Sequence, residues 1–398
     1  MHKVVVLGAG YAGLPALSRI AKQTYRDEVG LTLVSTRDRF VERPRLHQVA
    51  TGQRRPDFPL ADFLAKGVDL RVRHVKRLDT AARRLEFADG TDSLTYDTLV
   101  YAAGSTVDMT TVPGASEHAV TLSGPESALH IAATLTGSPH PRVVVCGGGL
   151  TGLELAAEVA EAFSHARVTL VTLGRLGEWL SPKAQTYVAD TLRQLGVQVL
   201  AGTRVTEVGP THVERDSGPE VPFDVCLWAG GFRVPSLAAD AGLQVDRQNR
   251  ILTGPTLRSL SDPSVFAIGD AAAVPGPWGD ALKMGCRTGG FMAPAAADAL
   301  VAELTGRRAR DFRFRYVHEC LSLGRQHHVI QFLDRDGRAK DRVLRGRLAT
   351  AYKNVVLYAG RYAGKNPGPF PRARRRHVSA RLASRDGLTL IEPERRAG

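Results

Sequence analysis

Two glycine-rich turns of the same form occur in this chain, Gly8-Ala9-Gly10-Tyr11-Ala12-Gly13 and Gly147-Gly148-Gly149-Leu150-Thr151-Gly152. Each follows a short apolar run, Val4-Val5-Val6-Leu7 or Val143-Val144-Val145-Cys146, and each opens a helical pattern. A strand, a G-x-G-x-x-G turn and a helix form the local geometry of a pyrophosphate cradle. The first glycine makes the bend, the second lets phosphate approach the backbone, and the third packs helix on strand. The helix N-terminus adds partial positive charge. One such turn is weak evidence; two, spaced by about one nucleotide-binding domain, predict two dinucleotides in one chain. With the later segment Val265-Phe266-Ala267-Ile268-Gly269-Asp270, the expectation is a flavin and a nicotinamide, and hence an electron-transfer enzyme.

The predicted class is α/β, with two Rossmann-like dinucleotide-binding domains, the second inserted in the first, and a C-terminal α+β region. The first domain is expected over 1–108 and 250–304 and the second over 109–249. A C-terminal domain with an interfacial helix is expected over 305–364, and a basic tail over 365–398. Residues 68–101 read as a β-meander, with alternation from Leu70 to Val75 and a turn at Asp89-Gly90. A helix is predicted near 182–195, strands near 312–332 and a further helix at 343–362.

A length of 398 residues, 43% hydrophobic and 23% charged, is that of a folded protein with large cores rather than a disordered chain. No run approaches the roughly 18 apolar residues of a membrane span. The first strand starts almost at the N-terminus with no secretory signal ahead of it, so a cytoplasmic location is expected. The net charge of +13 is unevenly placed, because residues 305–398 hold 23 Lys and Arg against 8 Asp and Glu. Basic density at one end points to an anionic partner, here an acidic membrane surface. No aromatic or zinc module accompanies it, so nucleic acid is not expected. Cys146, Cys226, Cys286 and Cys320 show no paired spacing, which predicts neither a zinc site nor a reductase-type disulfide. Cys146 and Cys226 read as core. Cys286 and Cys320 fall where a flavin would lie and leave a sulfide-oxidising relay as a minor alternative.

Each nucleotide fold lacks the carboxylate that ordinarily ends its second strand and binds ribose. Ser35 stands there in the first fold and Thr172 in the second. Loss of the acid beside Thr172 removes repulsion against a 2′-phosphate, and Arg175 could pair with one; the sequence therefore leans to NADPH over NADH. Asp270, at a strand's C-terminal edge, is placed either to bind a ribityl chain or to cap the next helix. Glu154, two residues past Gly152, either complements the helix dipole or bonds the nicotinamide amide.

Taken together these motifs resemble the type II NADH dehydrogenases, single-subunit NAD(P)H:quinone oxidoreductases, with apoptosis-inducing-factor-like relatives. The resemblance spans about residues 1–330. It rests on Gly8–Gly13, on Pro44 with Gln48-Val49-Ala50-Thr51-Gly52, on Tyr96 to Ser105, on Gly147 to Glu154 and on Phe266 to Asp270. It implies non-covalent FAD in the first domain, NAD(P)H in the second, and a quinone or small aromatic acceptor, and it leaves room for a homodimer. Arg45 and His47 would lie near the isoalloxazine. The implied cofactor set is Gly8, Gly10, Tyr11, Ala12, Gly13, Ser35, Arg43, Val75, Ala103, Gly104, Gly269, Asp270, Lys283 and Met284 for FAD. For the nicotinamide it is Gly147, Gly149, Thr151, Gly152, Thr172, Arg175 and Gly230. Glu154 and Arg287 would lie at the chemistry, and no metal is expected.

Two departures stand out. The family's Gln-Gln pair at the acceptor site is missing from Ala281-Leu282-Lys283-Met284-Gly285-Cys286-Arg287-Thr288-Gly289-Gly290, which weakens quinone as the acceptor. A ferredoxin-like protein or a small aromatic metabolite is the enzyme alternative; a redox sensor that does not turn over is the alternative of another class. At the C-terminus, Leu344, Leu348, Ala351, Val355 and Tyr362 share a predicted helix face, with Arg345, Arg347, Lys353 and Arg361 around it. That pattern suits a basic interfacial helix, reinforced by Arg372, Arg374, Arg375 and Arg376, or a helix packed on the core.

Overall fold

The computed structural model describes residues 1–276, 279–366 and 374–379. The two valine-rich runs become the central strands of two parallel sheets. The first sheet runs Val265–Ala267, Thr98–Tyr101, His2–Leu7, Val29–Ser35, Val68–Val72 in spatial order. The second runs Gln198–Ala201, Arg167–Thr172, Arg142–Cys146, Val225–Trp228. Val4, Val5 and Val6, like Val143, Val144 and Val145, are buried, because helices and sheets cover both faces of a parallel sheet. In each sheet the strand that carries the glycine turn lies where the strand order reverses. The crevice beyond the strands' C-terminal ends at that point is where open α/β sheets bind ligands.

Val265–Ala267 pairs with Thr98–Tyr101 in register Val265 to Leu99, so the chain re-enters the first sheet after building the second. The meander is shorter than the sequence pattern suggests. Val68–Val72 pairs in parallel with Val29–Ser35 and belongs to the first sheet; only Val75–Asp79, Arg84–Phe87 and Ser93–Thr95 form the antiparallel unit.

Beyond the helix Cys286–Leu304 a three-stranded antiparallel sheet forms from His318–Leu323, His327–Leu333 and Ala339–Arg345. The third strand takes residues read from sequence as helix, including Leu344, because its charged side chains sit on an edge that is half in water. The last helix accordingly runs Gly346–Lys365. It lies across the first phosphate helix, Gly13–Gln23. Gly360 and Gly364 bring the two backbones together: a Cβ on Gly360 would stand 3.2 Å from the Tyr11 ring, and one on Gly364 3.1 Å from the Phe63 ring. The Ser18 hydroxyl donates to the Lys365 carbonyl at 3.0 Å. Ala349, Lys353, Leu357 and Gly364 face inward, whereas Leu348, Val355, Tyr358 and Tyr362 are exposed. The helix therefore both packs on the body of the protein and presents an apolar stripe to its surroundings. Arg372 lies outside the described residues.

The glycine turns make separable predictions. A Cβ on Gly13 would lie 1.8 Å from the Gly8 carbonyl oxygen, and one on Gly152 1.8 Å from that of Gly147, whereas Gly10 and Gly149 have nothing within 4 Å. Gly13→Ala or Gly152→Ala should lower stability by about 1–3 kcal/mol, the range for overpacking. Gly10→Ala should leave the melting temperature of the cofactor-free protein within a few degrees while it loses FAD, and Gly149→Ala should do the same with the nicotinamide. Differential scanning fluorimetry with absorbance at the flavin band checks both.

Candidate active site

The two turns are built alike. Gly8 has φ +110° and Gly147 φ +130°, a left-handed region open to glycine. Their pro-Cβ positions lie 2.1 Å from the Ala102 oxygen and 2.7 Å from the Ala229 carbonyl. Ala12 is pinned from the other side: Gly269, at φ +70°, would place a Cβ 2.9 Å from the Ala12 Cβ, and Gly289 one at 3.3 Å. The N-terminal turn of Cys286–Leu304 is thereby pressed against the first phosphate turn. The open faces of Gly10 and Gly149 are where pyrophosphate backbones would approach, so the residues present suit two dinucleotides.

Asp270 sits between these elements. Its Oδ2 accepts the Ser105 hydroxyl at 2.7 Å and its Oδ1 accepts the Gly285 N–H at 2.7 Å. From the strand's C-terminal edge this one carboxylate fixes the start of the helix Cys286–Leu304. Arg43 donates to the Ser105 carbonyl at 2.8 Å, next to Gly104 and Ala103. Ser35 is buried and accepts the Arg37 N–H at 3.2 Å. Val75 is buried opposite Phe87. Thr151 lies in the first turn of the helix Leu150–Ala162, and Gly230 follows the strand Val225–Trp228 against the Trp228 ring.

Two of the expected site residues are engaged by the protein itself. The Lys283 N–H donates to the Tyr316 hydroxyl at 3.0 Å, and its Nζ pairs with Glu319 at 2.9 Å. Met284 packs, partly buried, on the core. Arg287 Nη1 donates to the His318 carbonyl at 2.9 Å, and its guanidinium lies over the Phe291 ring at 5.8 Å.

Glu154 has a partner that neither sequence reading supplied. Its Oε1 accepts from Lys353 Nζ at 2.5 Å and from the Ser322 N–H at 3.0 Å, and its Oε2 lies 3.7 Å from His47 Nδ1. Lys353 Nζ also donates to the Ser322 hydroxyl at 2.5 Å. Both members of the pair are buried. Burial alone would raise the Glu154 pKa, but the charge of Lys353 and the hydrogen bonds from Lys353 and the Ser322 N–H hold it below the ordinary carboxylate range. The sequence pattern puts Lys353 among the cations around the last helix's apolar face; tertiary packing turns it inward. Nothing in the local pattern marked it, because Lys353 shares its face with Ala349 and Leu357 only once the helix register is known.

Two neutral histidines, His47 and His328, lie beside the pair, and His318 packs against Tyr352 of the last helix. His47 is buried with Nε2 unpartnered among the described residues, and burial lowers its pKa to about 4. His328 contacts Thr350 Oγ1 at 2.9 Å and His318 contacts the Tyr352 hydroxyl at 3.0 Å; burial lowers each to about 4. The Tyr11 hydroxyl, beside Arg45, Glu42 and Cys286, is likewise buried without a partner among the described residues. Arg45 Nη2 donates to Asn354 at 2.7 Å and Arg361 Nη1 to Glu42 at 3.1 Å, which seals the last helix over this side. Cys320 is pushed up to about 12, chiefly by burial, which disfavours the thiolate that a sulfide relay needs. Cys146 and Cys226 pack with sulfurs 4.0 Å apart in the second sheet. No metal-ligand cluster occurs among the described residues.

The family profile for pyridine nucleotide-disulphide oxidoreductases matches residues 2–285. Demethylphylloquinone reductase NdbB of Synechocystis is 26% identical over 350 residues, 83% of this chain and 87% of that protein. Type II NADH:quinone oxidoreductase NdhA of Mycobacterium tuberculosis is 30% identical over 323 residues, 69% of this chain and 67% of that protein. The sulfide:quinone oxidoreductase of Aquifex aeolicus shares the fold, with a TM-score of 0.77 at 19% identity over 94% of this chain and 93% of that one. The chain belongs to the pyridine nucleotide-disulphide oxidoreductase family and, within it, to the type II NADH:quinone oxidoreductases.

The buried histidines set an acid limit on stability. A histidine at about 4 when folded and near 6.5 when unfolded leaves the unfolded state holding more protons between those values. Stability then falls as pH drops from 6.5 toward 4. Glu154, depressed in the fold, adds a loss once pH falls below the ordinary carboxylate range. The melting temperature should be nearly flat from pH 8 to 7 and decline steadily below 6.5, and His47→Asn should flatten the upper part of that decline.

Proposed function

We propose that the chain is an FAD-dependent oxidoreductase that takes two electrons from NAD(P)H and delivers them to a quinone-type acceptor. The observation that carries this reading is the doubled phosphate cradle, each copy with an open middle glycine at a strand-order reversal. A flavin bound over the first turn supplies reversible two-electron chemistry, which no side chain provides. The chain's own part is positioning and charge. The helix N-termini after Gly13 and Gly152 favour the pyrophosphates, and Asp270 is held at the strand edge for the polyol chain.

Reduction of a quinone consumes two electrons and two protons, and a hydride brings only one proton. Lys353 suits the supply of the other. Its ammonium carries three hydrogens, of which two donate to Glu154 and Ser322. The acceptor itself would enter beside the last helix, where Tyr11, Arg45 and Cys286 lie together.

Lys353→Met should slow reoxidation of the reduced protein by menadione roughly 10²-fold, the scale of a lost proton donor, and shift the pH profile of that half-reaction. Reduction by the nicotinamide should change less than about threefold, because hydride transfer needs no proton donor. Stopped-flow absorbance separates the two; equal slowing of both halves contradicts the role. Lys353→Met should also destabilise the fold by about 3–5 kcal/mol, since it leaves the buried Glu154 charge alone.

The exposed stripe of Leu348, Val355, Tyr358 and Tyr362 among Arg345, Arg347 and Arg361 supports a site on an anionic membrane surface. No helix among the described residues is long and apolar enough to cross a membrane, so binding would be peripheral. Flotation with phosphatidylglycerol vesicles should weaken as salt rises and drop further in a Leu348→Ser, Val355→Ser, Tyr358→Ser variant.

A further inference from the structure

The adenosine end of a nicotinamide nucleotide is read at the C-terminal edge of the strand Arg167–Thr172, where a carboxylate ordinarily selects the unphosphorylated ribose. Thr172 stands there instead, buried. Its hydroxyl donates to the Gly174 carbonyl at 3.4 Å and lies 2.0 Å from the position a Cβ on Gly148 would take. The hydroxyl is packed onto the phosphate turn rather than offered outward.

A carboxylate reaches the same edge from further along the chain. Glu178 is folded back by a reciprocal pair with Arg175: the Glu178 N–H donates to the Arg175 carbonyl at 3.3 Å, and Glu178 Oε2 accepts the Arg175 N–H at 3.2 Å. Its Oε1 lies only 2.6 Å from the Cβ position of Gly174, so the absence of a side chain at 174 is what lets the carboxylate lie against the backbone. Gly174 is in turn tied to the neighbouring strand's end, because its carbonyl accepts the Gly202 N–H at 3.2 Å. Glu178 is exposed and makes no ion pair among the described residues. The Arg175 side chain is exposed, with no hydrogen bond or ion pair among the described residues to hold it in place.

We infer that Glu178 determines nucleotide specificity, its tethered carboxylate accepting the ribose hydroxyls of NADH and repelling the 2′-phosphate of NADPH. This rests on the reading that residues 147–152 hold a nicotinamide dinucleotide. It reverses the preference drawn from the absence of an acid at Thr172, because the turn from Gly174 to Glu178 restores the missing charge from a position six residues later. Arg175 then contributes its backbone, not its cation, to recognition.

Calorimetric titration of the flavin-loaded protein with ADP-ribose and with 2′-phospho-ADP-ribose isolates this end of the ligand from the redox chemistry. Wild type should favour ADP-ribose by about tenfold or more, the scale of a like-charge contact near a surface. Glu178→Gln, which keeps size and hydrogen-bonding capacity but removes charge, should bring the ratio close to one, and Arg175→Ala should keep the wild-type preference. The affinity ratio is insensitive to the folded fraction, so a partly unfolded variant still reports. A wild-type preference for the phosphorylated ligand, or an unchanged ratio in Glu178→Gln, overturns the inference while leaving the second turn a nucleotide site. Binding of neither ligand overturns both.

Discussion

The buried ion pair between Glu154 and Lys353 holds together parts of the chain that are far apart in sequence. Glu154 comes from the second phosphate helix, Lys353 from the last helix, Ser322 from the antiparallel sheet and His47 from the first nucleotide fold. Removing two charges from water costs several kcal/mol each, and their attraction offsets this only when the remaining donors and acceptors are met. Here Ser322 meets them from both sides, with its N–H on the carboxylate and its hydroxyl under the ammonium. The pair is poor evidence for stability as such. It does fix the register, since it holds Lys353 on the face that also buries Ala349 and Leu357.

That register decides what the last helix can do. With Lys353 inward, Gly360 and Gly364 fall against Tyr11 and Phe63, and the helix closes over the first phosphate turn. The opposite side then shows Leu348, Val355, Tyr358 and Tyr362. One helix thereby serves as a wall of the candidate site and as an apolar face turned outward. The histidines lining the inner side are kept neutral by burial, so the local field comes from Glu154, Lys353 and the arginines at the rim.

The two nucleotide folds show how one local design diverges. Both turns bury their first and third glycines against carbonyl groups and leave the middle one open. The difference lies at the ends of the second strands. Ser35 accepts a backbone N–H within its own turn, while the loop after Thr172 doubles back and carries Glu178 to the edge. A sequence rule that looks only at the strand's last residue reads both ends as lacking an acid; chain reversal supplies one in the second fold.

Much of the architecture was legible in the residues themselves. Apolar runs, glycine turns and helix-forming segments are local, and their spacing dictates two Rossmann-like folds because parallel sheets need buried strands and phosphate turns need glycine at left-handed φ. Asp270 was legible for the same reason, being fixed by its place after a strand. The short third strand Ala339–Arg345, the inward turn of Lys353, the engagement of Lys283 and Arg287 with the protein itself, and the approach of Glu178 to Gly174 were not. Each depends on which surfaces meet after the chain has folded. A charged side chain carries no local mark of whether its partner is water or a carboxylate about two hundred residues away, and packing alone decides between them.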